Sequence, residues 1–220
     1  MRERDLDIYW PTSACQTAQM ARSIVDALRT KRVRRRVNRC DAWLSGPQLA
    51  NTRNSIVREF LAGPARWLLQ VDSDMAFTPD ELLMLLDACD PIRVPVLGAF
   101  ALGSGQGFGP EVTPLVEAGH LADGSPVPLD HREAHGLVSV DYVGAGMLLV
   151  HRRVFQRLAE TYQEPCPWFA DEPLNGRNDG EDWTFCHRVR ALGIPVHVHA
   201  DVRVRHMKMV ALQLPPVGGG

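Results

Sequence analysis

The sequence predicts an α/β protein, a three-layer α/β/α sandwich around a mostly parallel central sheet. Short apolar runs alternate with segments of helical period, in the order β-α-β-α-β-α-β over residues 6–100. The chain has 220 residues, 45% of them hydrophobic, enough for one sizeable core. One run, Trp67-Leu68-Leu69-Gln70-Val71, ends abruptly in Asp72-Ser73-Asp74. A strand buried on both faces has this pattern, and its end reaches the rim where α/β sheets bind ligands.

Composition narrows the class. The formal net charge of −2 gives no general attraction to nucleic acid or to an anionic membrane. No apolar run approaches the ~18–20 residues of a membrane span, and the opening Met1-Arg2-Glu3-Arg4-Asp5 is not a signal peptide. Five cysteines (15, 40, 89, 166 and 186) are odd in number and never in a C-x-x-C pair, which suits reduced thiols. The expectation is a soluble, cytoplasmic protein with one domain over residues 1–214 and a flexible tail over 215–220.

Leu6-Asp7-Ile8-Tyr9-Trp10 reads as the first strand, stopped by Pro11. Residues 14–28 follow as a helix with an apolar stripe of Met20, Ile24, Ala27 and Leu28. Thr12 then stands at a strand end beside a helix N-terminus. Residues 29–39 are strongly basic. They read either as a phosphate or nucleic-acid patch or as a helix end running into an edge strand with a solvated face. The second is preferred, since no aromatic residues are interleaved.

Ser45-Gly46-Pro47 precedes a second helix with Ile56, Val57, Phe60 and Leu61 on its core side. Its front carries Asn51-Thr52-Arg53-Asn54, a cap with an exposed cation or a set of donors for phosphate or sugar. The strand at 67–71 follows. Its two closely spaced carboxylates suit a divalent cation that also takes water and phosphate oxygens, although an acidic turn has the same pattern. Thr78-Pro79-Asp80-Glu81 is a capping box opening a helix to about Cys89, and Arg93 to Phe100 reads as the next strand.

Periodicity disappears from Ala101 to Gly136. The run Gly103-x-Gly105-x-Gly107-x-Gly109 ends in Pro110, not a helix, so it is no dinucleotide fingerprint. A segment of this length is a lid, an excursion with short strands, or disorder; a mobile flap over a cleft is favoured. Order returns at 138–150, where Gly144-Ala145-Gly146 allows close approach of another element or a ligand. A short amphipathic helix covers 154–162. After the polar loop 171–179, Glu181-Asp182-Trp183 opens a helix ending at Gly193. The two acids serve as dipole caps or as functional groups. Residues 195–206 alternate: His197, His199, Asp201, Arg203 and Arg205 share one face, read as outward-facing polar residues and not as a metal site. His206 ends the apolar face, as a core histidine or as a ligand.

Taken in order, Thr12, Arg53-Asn54, Asp72-Ser73-Asp74, Gly144-Ala145-Gly146, Glu181-Asp182-Trp183 and His206 resemble the GT-A fold nucleotide-sugar glycosyltransferases, including small stand-alone enzymes of bacteria and phages. The resemblance covers about residues 5–100 and 138–208. It implies a metal-dependent transfer of a sugar from a nucleotide-diphosphate sugar, UDP by analogy with the family, to an acceptor hydroxyl. It further implies Mn²⁺, or Mg²⁺, held by Asp74, Asp72 and His206. Thr12, Arg53, Asn54, Asp72, Gly144, Gly146 and Trp183 would bind the donor, and Asp182 with Glu181 would be catalytic, Asp182 as the base in inverting relatives. The acceptor is left open among a protein, a glycan, a small molecule and modified DNA; nucleic acid as a general binding partner is not expected. Oligomeric state and stereochemistry are also left open. Two alternatives stand beside this reading: a nucleotidyltransferase of related fold, disfavoured by the lack of a glycine-rich basic loop after the first strand, and a non-catalytic binding protein on the same scaffold.

Overall fold

The computed structural model describes residues 1–12, 16–104, 112–120, 126–163, 165–172 and 180–208. The first half comprises β1 (Leu6–Thr12), α1 (Ala18–Arg29), α2 (Lys31–Arg36), β2 (Val37–Leu44), α3 (Leu49–Ala62), β3 (Trp67–Val71), β4 (Met75–Ala76), α4 (Pro79–Ala88) and β5 (Val96–Phe100). Four short strands follow: β6 (Leu102–Ser104), β7 (Val112–Pro114), β8 (Val116–His120) and β9 (Pro126–Pro128). The last part contains β10 (Leu137–Ser139), β11 (Tyr142–Val143), β12 (Met147–His151), α5 (Arg152–Thr161), α6 (Glu181–Ala191), β13 (Val196–Arg203) and β14 (Arg205–His206).

The main sheet has the order β10-β13-β5-β12-β3-β1-β2. Strands β2, β1, β3, β5 and β13 run one way; β12 lies antiparallel between β3 and β5, and β10 is antiparallel at one edge. The sheet is therefore mostly parallel, as expected. Alternate side chains of each strand feed two separate cores. On one face Leu68, Val96, Leu148 and Val198 pack with Ile56, Val57 and Phe60 of α3, Phe155 of α5 and Phe185 of α6. On the other, Ile8, Leu69, Leu97 and Leu149 pack with Met20 and Ile24 of α1, Val33 of α2 and Leu82, Leu85 and Leu86 of α4. This is the three-layer sandwich.

Several boundaries differ from the expectation. Pro11 does not stop β1, which continues to Thr12 paired with β2. Pairing with β3 ends at Tyr9, so β3 lines no part of β1 at Pro11, where the missing N–H would matter. Helix α1 begins at Ala18 because the Thr17 hydroxyl accepts from the Met20 N–H and fixes the N-cap there; Ala14 itself lies outside the described residues. β5 starts at Val96, not Arg93, since Arg93 belongs to a turn closed by Asp90, whose Oδ1 accepts from the Ile92 and Arg93 N–H groups. The capping box at Thr78 and Glu81 is present.

Within 101–136 the described residues form an excursion with short strands: β6 pairs with β7, and β8 joins β9 and β11 in a small sheet. Residues 105–111 and 121–125, the loop 173–179 and the tail 215–220 lie outside the described residues. The basic stretch divides into α2 and the edge strand β2. Arg32 and Arg36 both bond Asp87 at the end of α4, and Arg39 pairs with Glu59. Arg152 closes the C-terminal end of α3 by donating to the carbonyls of Phe60, Leu61, Gly63 and Ala65. Among the described residues no helix is long and apolar enough to cross a membrane.

Candidate active site

The parallel strands end at one rim, and the candidate residues converge there. Val71 is the last residue of β3, and Asp72 and Asp74 flank the turn between it and β4. This turn is tied on both sides. The Thr17 N–H at the start of α1 donates to the Ser73 carbonyl (3.0 Å), and the Asp72 N–H donates to the Gly146 carbonyl (2.8 Å). Thr12 ends β1 next to the last residues of β2, and its carbonyl accepts from the Ser45 N–H. A cavity of about 240 Å³ opens beside it, lined by Trp43, Leu44, Gly46, Pro47, Gln48, Asn51, Thr52 and Ser55.

The centre of the site is Arg53. Its side chain is 2% exposed, and the guanidinium donates to Glu181 Oε1 (2.8 Å), Gln70 Oε1 (3.2 Å) and Asp72 Oδ1 (2.7 Å). A planar fork with several donors suits this task, because it meets two carboxylates and an amide from one buried position. Burial by itself would lower the guanidinium pKa, but the Asp72 and Glu181 carboxylates outweigh it and keep Arg53 charged. Burial also pushes the Asp72 carboxyl up, against the pull of Arg53. Arg53 is thus neither an exposed cation nor a free donor: it is the internal counter-ion of two acids.

Gly144-Ala145-Gly146 lies between the two acidic motifs. The Gly146 carbonyl holds Asp72, and the Ala145 N–H donates to Asp182 Oδ2 (3.2 Å). Asp182 Oδ2 also accepts from the Tyr142 hydroxyl (2.8 Å), and Oδ1 from the Trp183 N–H. Burial, and then the neighbouring Glu181 carboxylate, push Asp182 up to about 6. Glu181 and Asp182 stand in the first turn of α6, where the helix dipole favours negative charge; Gly180 takes φ 94° to start it. The Trp183 ring lies 5.1 Å from that of Tyr142.

Asn54 and the two glycines are engaged by other parts of the protein. Asn54 is fully buried; its Nδ2 donates to the Ala50 and Phe169 carbonyls and its Oδ1 accepts from the Trp168 and Phe169 N–H groups. Nothing of its amide is left for a ligand; it anchors the segment before the 173–179 loop. The close approach at the glycines is to other elements. A Cβ on Gly146 would stand 2.5 Å from Met75 Cε, and one on Gly144 3.1 Å from Leu115 Cβ. Their backbone positions the acids, and they face protein at these positions.

Asp74 meets His206 across the sheet rim, since β14 pairs with β4 and the Met207 N–H donates to the Asp74 carbonyl. His206 Nε2 lies 3.0 Å from Asp74 Oδ2. Its Nδ1 lies 2.9 Å from the Leu102 carbonyl, which only accepts, so Nδ1 carries a proton and Nε2 faces the carboxylate. Lys208 Nζ donates to the same Oδ2 (2.9 Å). Burial would raise the Asp74 carboxyl, but the His206 and Lys208 hydrogen bonds outweigh it and hold it at about 2. The Asp74 hydrogen bond raises the His206 imidazole.

Among the described residues no three His, Cys, Asp or Glu side chains are gathered as a ready metal cage. Asp74 and His206 nevertheless form a carboxylate–imidazole pair, and the Leu102 carbonyl fixes the imidazole tautomer in the way that outer partners orient metal-bound histidines. This donor set suits a divalent ion that completes its shell with water and phosphate oxygens.

Gln70, Tyr142 and Lys208 were missed in the sequence. Each had a signal: Gln70 is the one polar residue in the apolar β3 run, Tyr142 directly precedes Val143 and the glycine turn, and Lys208 shares strand parity with His206.

No protein-family model matches the sequence, and no curated protein matches it. Solved structures do. GalNAc-T7, crystallised with UDP, GalNAc and Mn²⁺, is 12% identical over 94% of this chain and 44% of that one, with a TM-score of 0.60. S. aureus TarS (residues 1–349), in complex with UDP-GlcNAc, is 11% identical over 96% of this chain and 60% of that one, with a TM-score of 0.54. The fold is GT-A-like. A197 from STIV matches end to end, 12% identical over 99% of this chain and 100% of that one, with a TM-score of 0.53. This chain thus spans less than two thirds of the GalNAc-T7 and TarS chains, and the full length of A197.

Proposed function

We propose that this protein is a metal-dependent glycosyltransferase that moves a sugar from a nucleotide-diphosphate sugar to an acceptor hydroxyl. The observation that carries this reading is the Asp74–His206 pair at the end of β3, joined through the Asp72 turn and Arg53 to Glu181 of α6, next to Asp182. On a GT-A-like scaffold this arrangement would serve as a cation site, a donor rim and a candidate base at one end of the sheet. A uridine nucleotide is the first donor to test, because two structures of this fold contain UDP or a UDP-sugar.

Asp74 and His206 would hold Mn²⁺ or Mg²⁺, with Asp72 beside them turned to ribose or metal-bound water. The ion would neutralise charge on the departing nucleoside diphosphate. The chain's own residues do the rest. Thr12 and the cavity by Trp43 offer a flat aromatic wall and amide groups for the nucleoside. Arg53 fixes the Asp72 and Glu181 side chains through its guanidinium hydrogen bonds, so that the rim is pre-organised before the donor arrives. Asp182, held by Tyr142 and the Ala145 N–H, takes the proton from the acceptor hydroxyl if transfer inverts the anomeric centre. Its pKa of about 6 leaves it ionised at neutral pH while keeping it basic enough for this task. Trp183, packed on Tyr142, walls the same corner.

The experiment is release of nucleoside diphosphate from a panel of nucleotide-sugars, with and without Mn²⁺. Metal-dependent release from one sugar nucleotide supports the reading and names the donor. Turnover of nucleoside triphosphates alone favours the nucleotidyltransferase.

A further inference from the structure

We propose that Lys208 is a resident counter-ion that a divalent cation must displace from Asp74. The inference rests on the proposed Asp74–His206 cation site. The Lys208 ammonium lies 2.9 Å from Asp74 Oδ2, the same oxygen that His206 Nε2 faces at 3.0 Å. One carboxylate oxygen thus meets two nitrogen groups at the point where the metal would bind. The His206 ring is anchored, with its Nδ1 on the Leu102 carbonyl and its strand paired to β4. Lys208 has only its flexible four-carbon stem, and its side chain is 47% exposed against 31% for Asp74. Of the two, Lys208 is therefore the group free to leave. Asp72, the other rim carboxylate, has a fixed internal cation in the buried Arg53. The rim thus has one permanent counter-ion and one exchangeable one.

Displacement has a measurable consequence. An exposed ion pair contributes roughly 0.2–1 kcal/mol, and that contribution is lost each time a metal ion enters. Removing the ammonium should tighten metal binding by up to about fivefold, since 1.4 kcal/mol is tenfold.

Mn²⁺ affinity, measured by titration calorimetry or by electron paramagnetic resonance of free Mn²⁺, tests this without any turnover assay. The proteins are the wild type, Lys208→Met, Lys208→Arg and Lys31→Met. Lys31 opens α2 at the far ends of the strands, so its loss changes net charge equally but leaves Asp74 alone. Tighter binding in Lys208→Met, with Lys208→Arg and Lys31→Met near the wild type, is expected. Unchanged or weaker binding in Lys208→Met, or equal tightening in Lys31→Met, overturns the role of Lys208. Absence of Mn²⁺ binding in all four overturns the cation site itself, a result distinct from the failure of Lys208 alone.

Discussion

Arg53 Nη2, buried, and Asp72 Oδ1, at the rim, stand 2.7 Å apart, although α3 and the β3 turn that carry them are separate elements. The same guanidinium reaches Glu181, 128 residues further along the chain. A buried charge with this many partners is costly to leave half-paired. Breaking such a pair by removing one member costs about 3–5 kcal/mol, because the remaining charges stay buried. Arg53→Met should lower unfolding free energy by about this amount in urea titration and should also weaken donor binding. Arg53→Lys should recover only part of it, as an ammonium lacks the fork that spans Asp72, Gln70 and Glu181.

Asp182→Asn should reduce kcat by about 10²-fold or more while changing donor affinity little, as expected for a base that acts on the acceptor. Equal losses in both would place Asp182 on the donor instead. In the wild type, activity should rise as pH passes through about 6, where Asp182 loses its proton. Stability runs the other way for this group. The folded carboxyl holds its proton to about 6 and the unfolded one to about 4, so its contribution falls as pH rises between them.

His151 gives the opposite slope. It caps α5 by accepting from the Arg153 N–H, and its ring packs against Trp67 at 4.8 Å. Burial first, and then the nearby Arg66, depress its imidazole to about 4 from 6.5. Its neutral form is therefore favoured in the fold, and stability is lost as pH falls from 6.5 through about 4. His151→Asn keeps a capping side chain without the titration. Unfolding measured at pH 7 and pH 4.5 should show a smaller acid loss in this variant than in the wild type.

The parts of this molecule set by local rules were legible in the sequence. The apolar β3 run before Asp72, the capping box at Thr78, the helix between Gly180 and Gly193 and the alternation through residues 196–206 all depend on neighbours within a few positions. The meeting of Asp74 with His206 was anticipated through the family resemblance. What depends on distant partners was not legible. Nothing near Arg53 shows that Asp72 and Glu181 will bury it, nor that Asn54 will be used up by the Trp168–Phe169 backbone. The antiparallel insertion of β12 between β3 and β5 is likewise a choice of the whole sheet; its own residues, Met147–His151, are apolar enough to fit any central position.

The central claim is that Asp74 anchors a metal-dependent donor site. Its most direct test is the melting temperature of wild type and Asp74→Ala with UDP, with and without Mn²⁺. Ligand at ~100 times its dissociation constant adds about 2.7 kcal/mol of stability, enough for a clear shift. The account predicts a metal-dependent shift in the wild type and none in Asp74→Ala, whose melting point without ligand should fall because it loses the His206 and Lys208 hydrogen bonds. A metal-dependent shift of the same size in Asp74→Ala would contradict it.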